Sequence, residues 1–343
     1  MHIHKSKDGE RTAEVAVFSV KKYDIEHLEP EFDKIGVKVT FLQTQLNDET
    51  VSLAEGYPAI CIFVNDNLTA ANLELLKKSG LRFVLLRCAG FNNVDIAAAH
   101  RLGIRVARVP AYSPYAVAEF AVGLMLMLNR KLHKAYARVR EGNFSLEGLT
   151  GFDMYGKRVG IIGTGKIGLL TGRICAGFGC EVVCYDPYPN PAGAAEVGMK
   201  YIALDELLAT SDIISLHCPL TPDTFHMIND ESIDAMKDNV MIINTSRGGL
   251  VDTVALIRYL KSGKIGQVGM DVYENESGMY FEDSSDDVMQ DDTMSRLLTF
   301  PNVCITGHQA FLTREALMNI ASTTAQNLVD LIQGNDMKTL VLP

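Results

Sequence analysis

The chain has no apolar run approaching the ~20 residues that span a bilayer, so no membrane-crossing helix is expected. It also has no excess of basic charge. The 42 Asp and Glu outnumber the 32 Lys and Arg, a formal net charge of -10 that argues against a nucleic-acid surface. Much of that imbalance is local, because Tyr273 to Asp292 hold eight acidic residues and no Lys or Arg. The seven cysteines contain no Cys-x-x-Cys pair. Cys61, Cys175, Cys180, Cys184 and Cys304 lie in or beside apolar patterns, as buried thiols in a reducing compartment would. No His, Asp or Glu spacing points to a metal. Met1 to Arg11 are polar and mixed in charge, unlike a signal peptide or an Arg-rich transit peptide, so a short disordered lead on a cytoplasmic protein is expected. What is present is ordinary for a globular chain: 343 residues, 47% hydrophobic and 22% charged, enough for two domains of roughly 150 residues each.

One stretch organises the rest. Val159 to Ile162 is an apolar strand that runs into Gly163-Thr-Gly165-Lys166-Ile167-Gly168, then a helical segment to Gly179, then a second apolar strand that ends in Asp186. Gly163 suits a tight turn, Gly165 lets the backbone approach a pyrophosphate, and Gly168 lets the helix pack closely on its strand. The free N-H groups of the helix start can then face phosphate. Asp186 stands eighteen residues past Gly168, where a carboxylate can accept from both ribose hydroxyls of an adenosine. Alone the glycine pattern is weak, and its plain alternative is a glycine-rich turn. With strand, helix, second strand and terminal Asp all in place, it predicts dinucleotide binding. Pro-Tyr-Pro follows Asp186, with no Arg or Lys to take a 2'-phosphate, so NAD is favoured over NADP.

From Glu14 to Pro110 apolar strands (Val15 to Val20, Val37 to Leu42, Ala59 to Val64, Phe83 to Cys88, Ile104 to Val109) alternate with helical segments such as Thr69 to Ser79 and Val94 to Leu102. Glycines close both of those segments. The pattern predicts an α/β architecture with a doubly wound parallel sheet and no phosphate loop of its own. Tyr115 to about Arg140 reads as one long helix with a very apolar middle, Phe120 to Leu128. Homodimerisation through it is expected, with burial inside the monomer as the alternative. A second run of strands follows: Val159 to Ile162, Glu181 to Tyr185, Ile213 to His217, Val240 to Asn244, Val268 to Val272 and Val303 to Thr306. Their continuous apolar character predicts a parallel sheet covered on both faces, with ligands beyond the strands' carboxyl ends.

Those ends are polar: His217-Cys218-Pro219, Asn244-Thr245-Ser246-Arg247-Gly248, Asp271-Val-Tyr-Glu274-Asn-Glu276 and Gly307-His308-Gln-Ala-Phe311. A guanidinium among them can grip a carboxylate in bidentate fashion, and a histidine beside a carboxylate is an acid/base near working pH. Each also has a plain reading. Arg247 could cap the following helix, His308 could be a satisfied loop histidine, and Glu276 could be a solvated side chain. Together, beside a dinucleotide site, they point to a catalytic set.

These segments, with Arg87-Cys-Ala89-Gly90-Phe-Asn-Asn-Val-Asp95, Pro110-Ala-Tyr-Ser-Pro114, Asn143 to Gly151 and Met270 to Asp292, resemble the D-isomer-specific 2-hydroxyacid dehydrogenase family, most closely its fermentative NAD-dependent D-lactate dehydrogenase branch. The similarity runs from about Ala13 to Leu331. It implies two doubly wound parallel-sheet domains: a Rossmann-type NAD domain, 113 to 307, inserted in a flavodoxin-like substrate domain formed by 1 to 112 and 308 to 343. The active site is expected in the cleft, and the helix from about Thr313 to Gln333 is expected to return to the first half.

By the same resemblance Arg247 would bind the carboxylate of a small 2-oxo acid, pyruvate. His308 would protonate the nascent alkoxide, and Glu276 would keep that imidazole charged. Ala89 and Gly90 would offer backbone N-H groups to the carboxylate, with Tyr112 and Phe311 shaping the pocket. Gly163, Gly165, Lys166, Ile167 and Gly168 would lie at the pyrophosphate and Asp186 at the ribose. Cys218, Pro219 and Thr224 would line the adenosine side and Asp271 would face the carboxamide of the nicotinamide, with His217, Thr245 and Ser246 also expected at the cofactor. The acidic loop would add negative potential near His308. Alternatives remain. The same triad would serve a reductase of glyoxylate, hydroxypyruvate or a bulkier 2-oxo acid. Formate dehydrogenases of the superfamily carry Gln at the place of Glu276. A phosphoglycerate dehydrogenase would be expected to carry a regulatory domain beyond Pro343, and an NAD-sensing corepressor of the same fold would be expected to carry partner-docking surfaces and extended tails, where this sequence has short tails and the complete triad.

Overall fold

The computed structural model describes residues 4–5, 11–12, 14–276 and 279–343. The lead expected to be disordered lies mostly outside them, apart from His4–Lys5 and Arg11–Thr12, which pair as an antiparallel ribbon. The chain divides into two compact units, 1–113 with 312–343, and 114–311.

The first unit is built on five parallel strands in the order Lys38–Phe41, Glu14–Val17, Ala59–Ile62, Phe83–Leu86, Arg105–Ala107. Each falls within a run expected from the sequence, except that Glu14–Val17 starts one residue before the expected Val15. Ala70–Lys78 starts where the Thr69 side chain accepts from the Asn72 N-H, and Ile96–Arg101 starts where Asp95 accepts from Ala98. Gly80 and Gly103 follow these helices in left-handed conformation, which glycine adopts without strain. The C-terminal helix Arg314–Gln333 belongs to this unit. Its Ala321, Ala325, Leu328 and Leu331 are buried with Val15, Val17, Leu28, Phe32 and Leu85. This apolar face satisfies a sheet surface that the first 113 residues leave uncovered.

The second unit holds seven parallel strands in the order Met199–Tyr201, Glu181–Tyr185, Arg158–Ile162, Ile213–Leu216, Val240–Asn244, Ile265–Met270, Val303–Ile305. The short edge strand Met199–Tyr201 was not expected, since three residues after a glycine carry no readable period. The order reverses between Arg158–Ile162 and Ile213–Leu216, so this sheet has its switch point beside the glycine loop.

The expected single helix from Tyr115 to Arg140 is in fact two, Pro114–Asn129 and Leu132–Arg140, parted at Lys131 in left-handed conformation (φ 51°). The cause is a crossing. The buried Asn129 amide donates to the Phe152 carbonyl and accepts from its N-H, both at 2.7 Å, and a Cβ on Gly151 would meet the Asn129 carbonyl at 2.6 Å. The apolar middle also proves to be core of its own unit: Ala121, Val122, Leu124, Met125 and Leu128 pack with Val159, Ile161 and Ile243. All seven cysteines are free, with Cys180 and Cys304 half-buried and the other five buried. Burial pushes the Cys61 and Cys175 thiols up to about 12, which leaves them inert packing groups. Among the described residues no helix is long and apolar enough to cross a membrane.

Candidate active site

Parallel pairing brings every strand of the second unit out on one edge, and the expected residues follow those ends. Gly163 turns out of its strand with φ 94°, and a Cβ there would meet the Cys218 N at 2.5 Å. The neighbouring strand is locked alongside by the His217 N-H, which donates to the Ile162 carbonyl at 2.7 Å. Gly168 lies so close that a Cβ would run into the Gly163 carbonyl, whereas a Cβ on Gly165 would meet nothing within 4 Å. The loop is therefore tight on its protein side and open on the other. The helix Lys166–Gly177 begins at Gly165 with no side chain capping its first N-H groups, and Lys166 is exposed. An anion fits there.

Asp186 does more than the sequence indicated. Its Oδ2 accepts from the Thr164 N-H at 2.7 Å and from the Thr164 hydroxyl at 3.1 Å, and its Oδ1 accepts from the Tyr188 N-H at 2.9 Å. The carboxylate thus holds the glycine loop as well as the position expected for a ribose. Tyr201, from the unforeseen edge strand, adds its hydroxyl to Thr164 at 2.5 Å.

The side chains expected on the adenosine side, and His217 beside them, are largely committed within their own loop. His217 Nε2 lies 2.9 Å from the Ser215 hydroxyl, and burial lowers its pKa to about 4. Burial lifts the Cys218 thiol to about 11, and the Thr224 hydroxyl donates to the Pro219 carbonyl at 2.7 Å.

Arg247 occupies a turn built by Asn244, whose buried amide donates to the Arg247 carbonyl at 2.8 Å and accepts from the Ser246 N-H at 3.0 Å. The Ser246 hydroxyl ties the turn to the Cys218 carbonyl at 2.6 Å, and the half-buried guanidinium donates to the Ser246 carbonyl at 2.7 Å. Gly248 is obligatory here, because a Cβ would strike the backbone of Tyr273 and Glu274. Arg247 precedes the turn of 3-10 helix Gly248–Leu250 but gives it no side-chain cap, so the capping alternative does not hold. Beside it Thr245 is buried with its hydroxyl unpartnered, a donor and acceptor left for a ligand.

His308 sits at φ 55°, a strained position for a non-glycine residue. Its Nδ1 lies 3.2 Å from Glu276 Oε1, while Glu276 Oε2 accepts from the Tyr273 N-H at 3.3 Å. The Phe281 ring lies 5.7 Å from the imidazole. Asp271 pins the loop: fully buried, it accepts from the Thr306 hydroxyl at 2.6 Å, the Gln309 N-H at 2.9 Å and the Ala310 N-H at 2.8 Å. Burial pushes its carboxyl up, and these bonds oppose the shift.

A second pair was not foreseen. His226 Nε2 lies 3.0 Å from Glu274 Oε2, and the ring stacks on Phe225 at 3.9 Å. A lone histidine in a turn carries no sequence period that would have flagged it.

In the first unit the Ala89 carbonyl accepts from Arg108 Nη1 at 2.8 Å, the Cys88 thiol donates to the Gly90 carbonyl at 3.3 Å, and the Tyr112 carbonyl accepts from the Asn319 amide at 2.6 Å. Phe311, the last residue of the second unit, is buried. Among the described residues no three His, Cys, Asp or Glu side chains gather as metal ligands would.

A switch-point glycine loop, a strand-end carboxylate and a His-Glu pair on one sheet edge define an NAD-dependent oxidoreductase, and residues 122–310 match the family model "D-isomer specific 2-hydroxyacid dehydrogenase, NAD binding domain". The chain belongs to the D-isomer-specific 2-hydroxyacid dehydrogenases. It is 54% identical over 320 residues to the D-lactate dehydrogenase of Escherichia coli K12, a match that covers 93% of this chain and 97% of that one. The solved apo-structure of D-lactate dehydrogenase from Escherichia coli superposes with a TM-score of 0.87 at 50% identity, covering 96% of this chain and 100% of that one. A D-lactate dehydrogenase from Aquifex aeolicus, solved with NAD and lactic acid, superposes with a TM-score of 0.82 at 33% identity, covering 94% of this chain and 96% of that one.

Proposed function

We propose that this enzyme reduces pyruvate to D-lactate, reversibly, with the second unit holding NAD and the first serving the substrate. One observation carries the reading: Arg247 and the pair of His308 with Glu276, whose Nδ1 and Oε1 lie 3.2 Å from each other, stand on the same strand-end edge as the Gly163–Gly168 loop. The NADH held by the second unit would supply a hydride for the substrate's carbonyl carbon. The chain's own residues do the rest. Arg247 grips the carboxylate through paired N-H donors and fixes the carbonyl beside His308. In the first unit the Ala89 and Gly90 N-H groups are the donors proposed for a substrate carboxylate and Tyr112 a limit on the substrate side chain; in the second unit Phe311 is proposed as such a limit. His308 gives its proton to the carbonyl oxygen as negative charge develops there, and Glu276 orients the ring and balances its charge. A second proton from solvent restores the imidazolium, so the reaction consumes pyruvate, NADH and H⁺.

For the cofactor, Gly163, Gly165, Lys166, Ile167 and Gly168 meet the pyrophosphate and Asp186 the adenosine ribose. Cys218, Pro219 and Thr224 would flank the adenosine, with His217, Thr245 and Ser246 also at the cofactor; Asp271, expected at the nicotinamide, is fully buried and would act there only by pinning the His308 segment. We infer a cytoplasmic homodimer. The exposed Leu132, Tyr136 and Val139 on the helix Leu132–Arg140, with Phe144 and Leu146 after it, supply an apolar face for a second copy.

The test follows NADH oxidation with pyruvate, glyoxylate, hydroxypyruvate and phenylpyruvate in parallel, repeats it with NADPH, and resolves the pyruvate product on a chiral column. Fast turnover of pyruvate with NADH to the D-enantiomer is expected. Preference for another 2-oxo acid would keep the chemistry and replace the substrate.

A further inference from the structure

The two backbone donors assigned to the substrate carboxylate, Ala89 N-H and Gly90 N-H, each belong to a peptide whose carbonyl is held from behind. In a trans peptide the N-H points opposite to the C=O, so whatever binds the carbonyl aims the donor. The Cys88 carbonyl, on the peptide that carries the Ala89 N-H, accepts from the Val109 N-H at 3.0 Å. The Ala89 carbonyl, on the peptide that carries the Gly90 N-H, accepts from Arg108 Nη1 at 2.8 Å. Both anchors come from the exit of the strand Arg105–Ala107, and one of them is a cation.

Arg108 is itself held firmly. Its guanidinium carbon lies 5.1 Å from the centre of the Phe91 ring, and its N-H donates to the Thr339 carbonyl at 2.9 Å. Its carbonyl accepts from the buried Asn327 amide at 2.9 Å, and the Thr339 hydroxyl donates to that amide's oxygen at 2.7 Å. The C-terminal helix and the segment after it therefore lock the backbone from which the guanidinium reaches.

We propose that Arg108 is a positioning residue for substrate binding: by charging the Ala89 carbonyl it fixes and polarises the Gly90 N-H that receives the substrate carboxylate. A peptide whose carbonyl accepts from a cation is a stronger donor at its N-H, because bonded groups polarise one another. The inference rests on the reading of Ala89 and Gly90 as carboxylate donors. Arg108 need not touch the substrate, and its effect should appear in affinity for the anion rather than in the chemical step.

The experiment compares wild type with Arg108→Gln in steady-state pyruvate reduction and in oxamate binding to the NADH-loaded enzyme, read by NADH fluorescence. The pyruvate KM and the oxamate Kd should both rise about tenfold, the loss of one charge-assisted hydrogen bond's worth of polarisation. NADH affinity should stay within about twofold and kcat within about threefold. Arg108→Lys, which keeps the charge, should recover part of the affinity. A fall in kcat with unchanged KM and Kd overturns the proposal, as does a lowered melting temperature with unchanged substrate affinity. If Arg108→Gln does not fold, Phe91→Leu loosens the guanidinium while leaving its hydrogen bonds possible. It should raise KM and Kd about twofold to threefold, and no change in either overturns the proposal. Wild type that binds no oxamate and turns over no pyruvate would instead sink the reading of the loop, and this inference with it.

Discussion

Two arginines end strands of two parallel sheets and have opposite fates. Arg87, after Phe83–Leu86, is 1% exposed; it donates to Asp24 at 3.3 Å and to the Ser19 carbonyl at 2.8 Å, and lies 4.7 Å from the centre of the Phe63 ring. Asp66 completes the cluster by accepting from the Ser19 hydroxyl at 2.6 Å and from the N-H groups of Leu46 at 2.7 Å and Phe63 at 2.6 Å. Arg247, after Val240–Asn244, is half-buried in a turn that orders its backbone by other residues' side chains. The first guanidinium is buried and tied by Nε and Nη2 into the fold, with Nη1 alone unpartnered, and the second is presented by the fold. Strand-end position in a doubly wound sheet thus offers a place for function, and the partners around each side chain decide whether it is used.

The comparison breaks most visibly in the second unit's chemistry. His308→Ala should lower kcat by about 10²–10⁴-fold with an unchanged melting temperature, the range for loss of a general acid. Arg247→Ala should be comparably damaging in kcat/KM and equally silent in unfolding. If either variant unfolds early while the residual enzyme keeps its rate, that residue belongs with Arg87 instead.

Arg87→Met should do the reverse. Removing one partner of a buried ion pair leaves Asp24 and Asp66 without their cation, a cost of about 3–5 kcal/mol measurable by urea denaturation. Enzyme still folded at low urea should retain pyruvate turnover. Stability within about 1 kcal/mol of wild type would mean the cluster is not the structural anchor it looks like.

A smaller effect should follow pH. Burial lowers His217 from 6.5 to about 4, so between those values the unfolded chain takes up a proton that the fold refuses. Stability from this group is therefore full above pH 6.5 and declines as pH falls toward 4, by at most about 1.4 kcal/mol per pH unit. His217→Gln should flatten that part of the curve of unfolding free energy against pH, and an unaltered slope would assign the acid lability elsewhere.

The smallest effect belongs to the acidic loop. Glu282, Asp283, Asp286 and Asp287 are exposed, so their field at His308 is screened. Neutralising all four should move the basic limb of the reduction rate-pH profile to lower pH by roughly a few tenths of a unit. A limb that stays in place removes the loop from the mechanism.

Much of this was legible in advance for a physical reason. Both sheets are covered on two faces, so their strands are short unbroken apolar runs whose ends can be read directly, as Glu181–Tyr185 and Val240–Asn244 were. Where periodicity failed, a long-range contact had intervened. The helix through Lys131 breaks because Phe152 and Gly151 cross it, and Leu132–Arg140 rather than the apolar middle carries the exposed apolar face. Met199–Tyr201 is a strand because Glu181–Tyr185 offers it an edge.

By itself the amino-acid sequence determined the α/β class and the dinucleotide loop with its terminal Asp186, and it singled out Arg247, Glu276 and His308 as candidates, because these depend on residue type and local spacing. Only the tertiary structure decided that Glu276 and His308 meet, that Asp186 also braces the glycine loop, that Asp271 is spent on pinning the His308 segment, and that Arg108 stands behind the Ala89 carbonyl. Those are contacts between residues from 19 to 39 positions apart, and no local pattern records which carbonyl or carboxylate a folded chain will bring to a given donor.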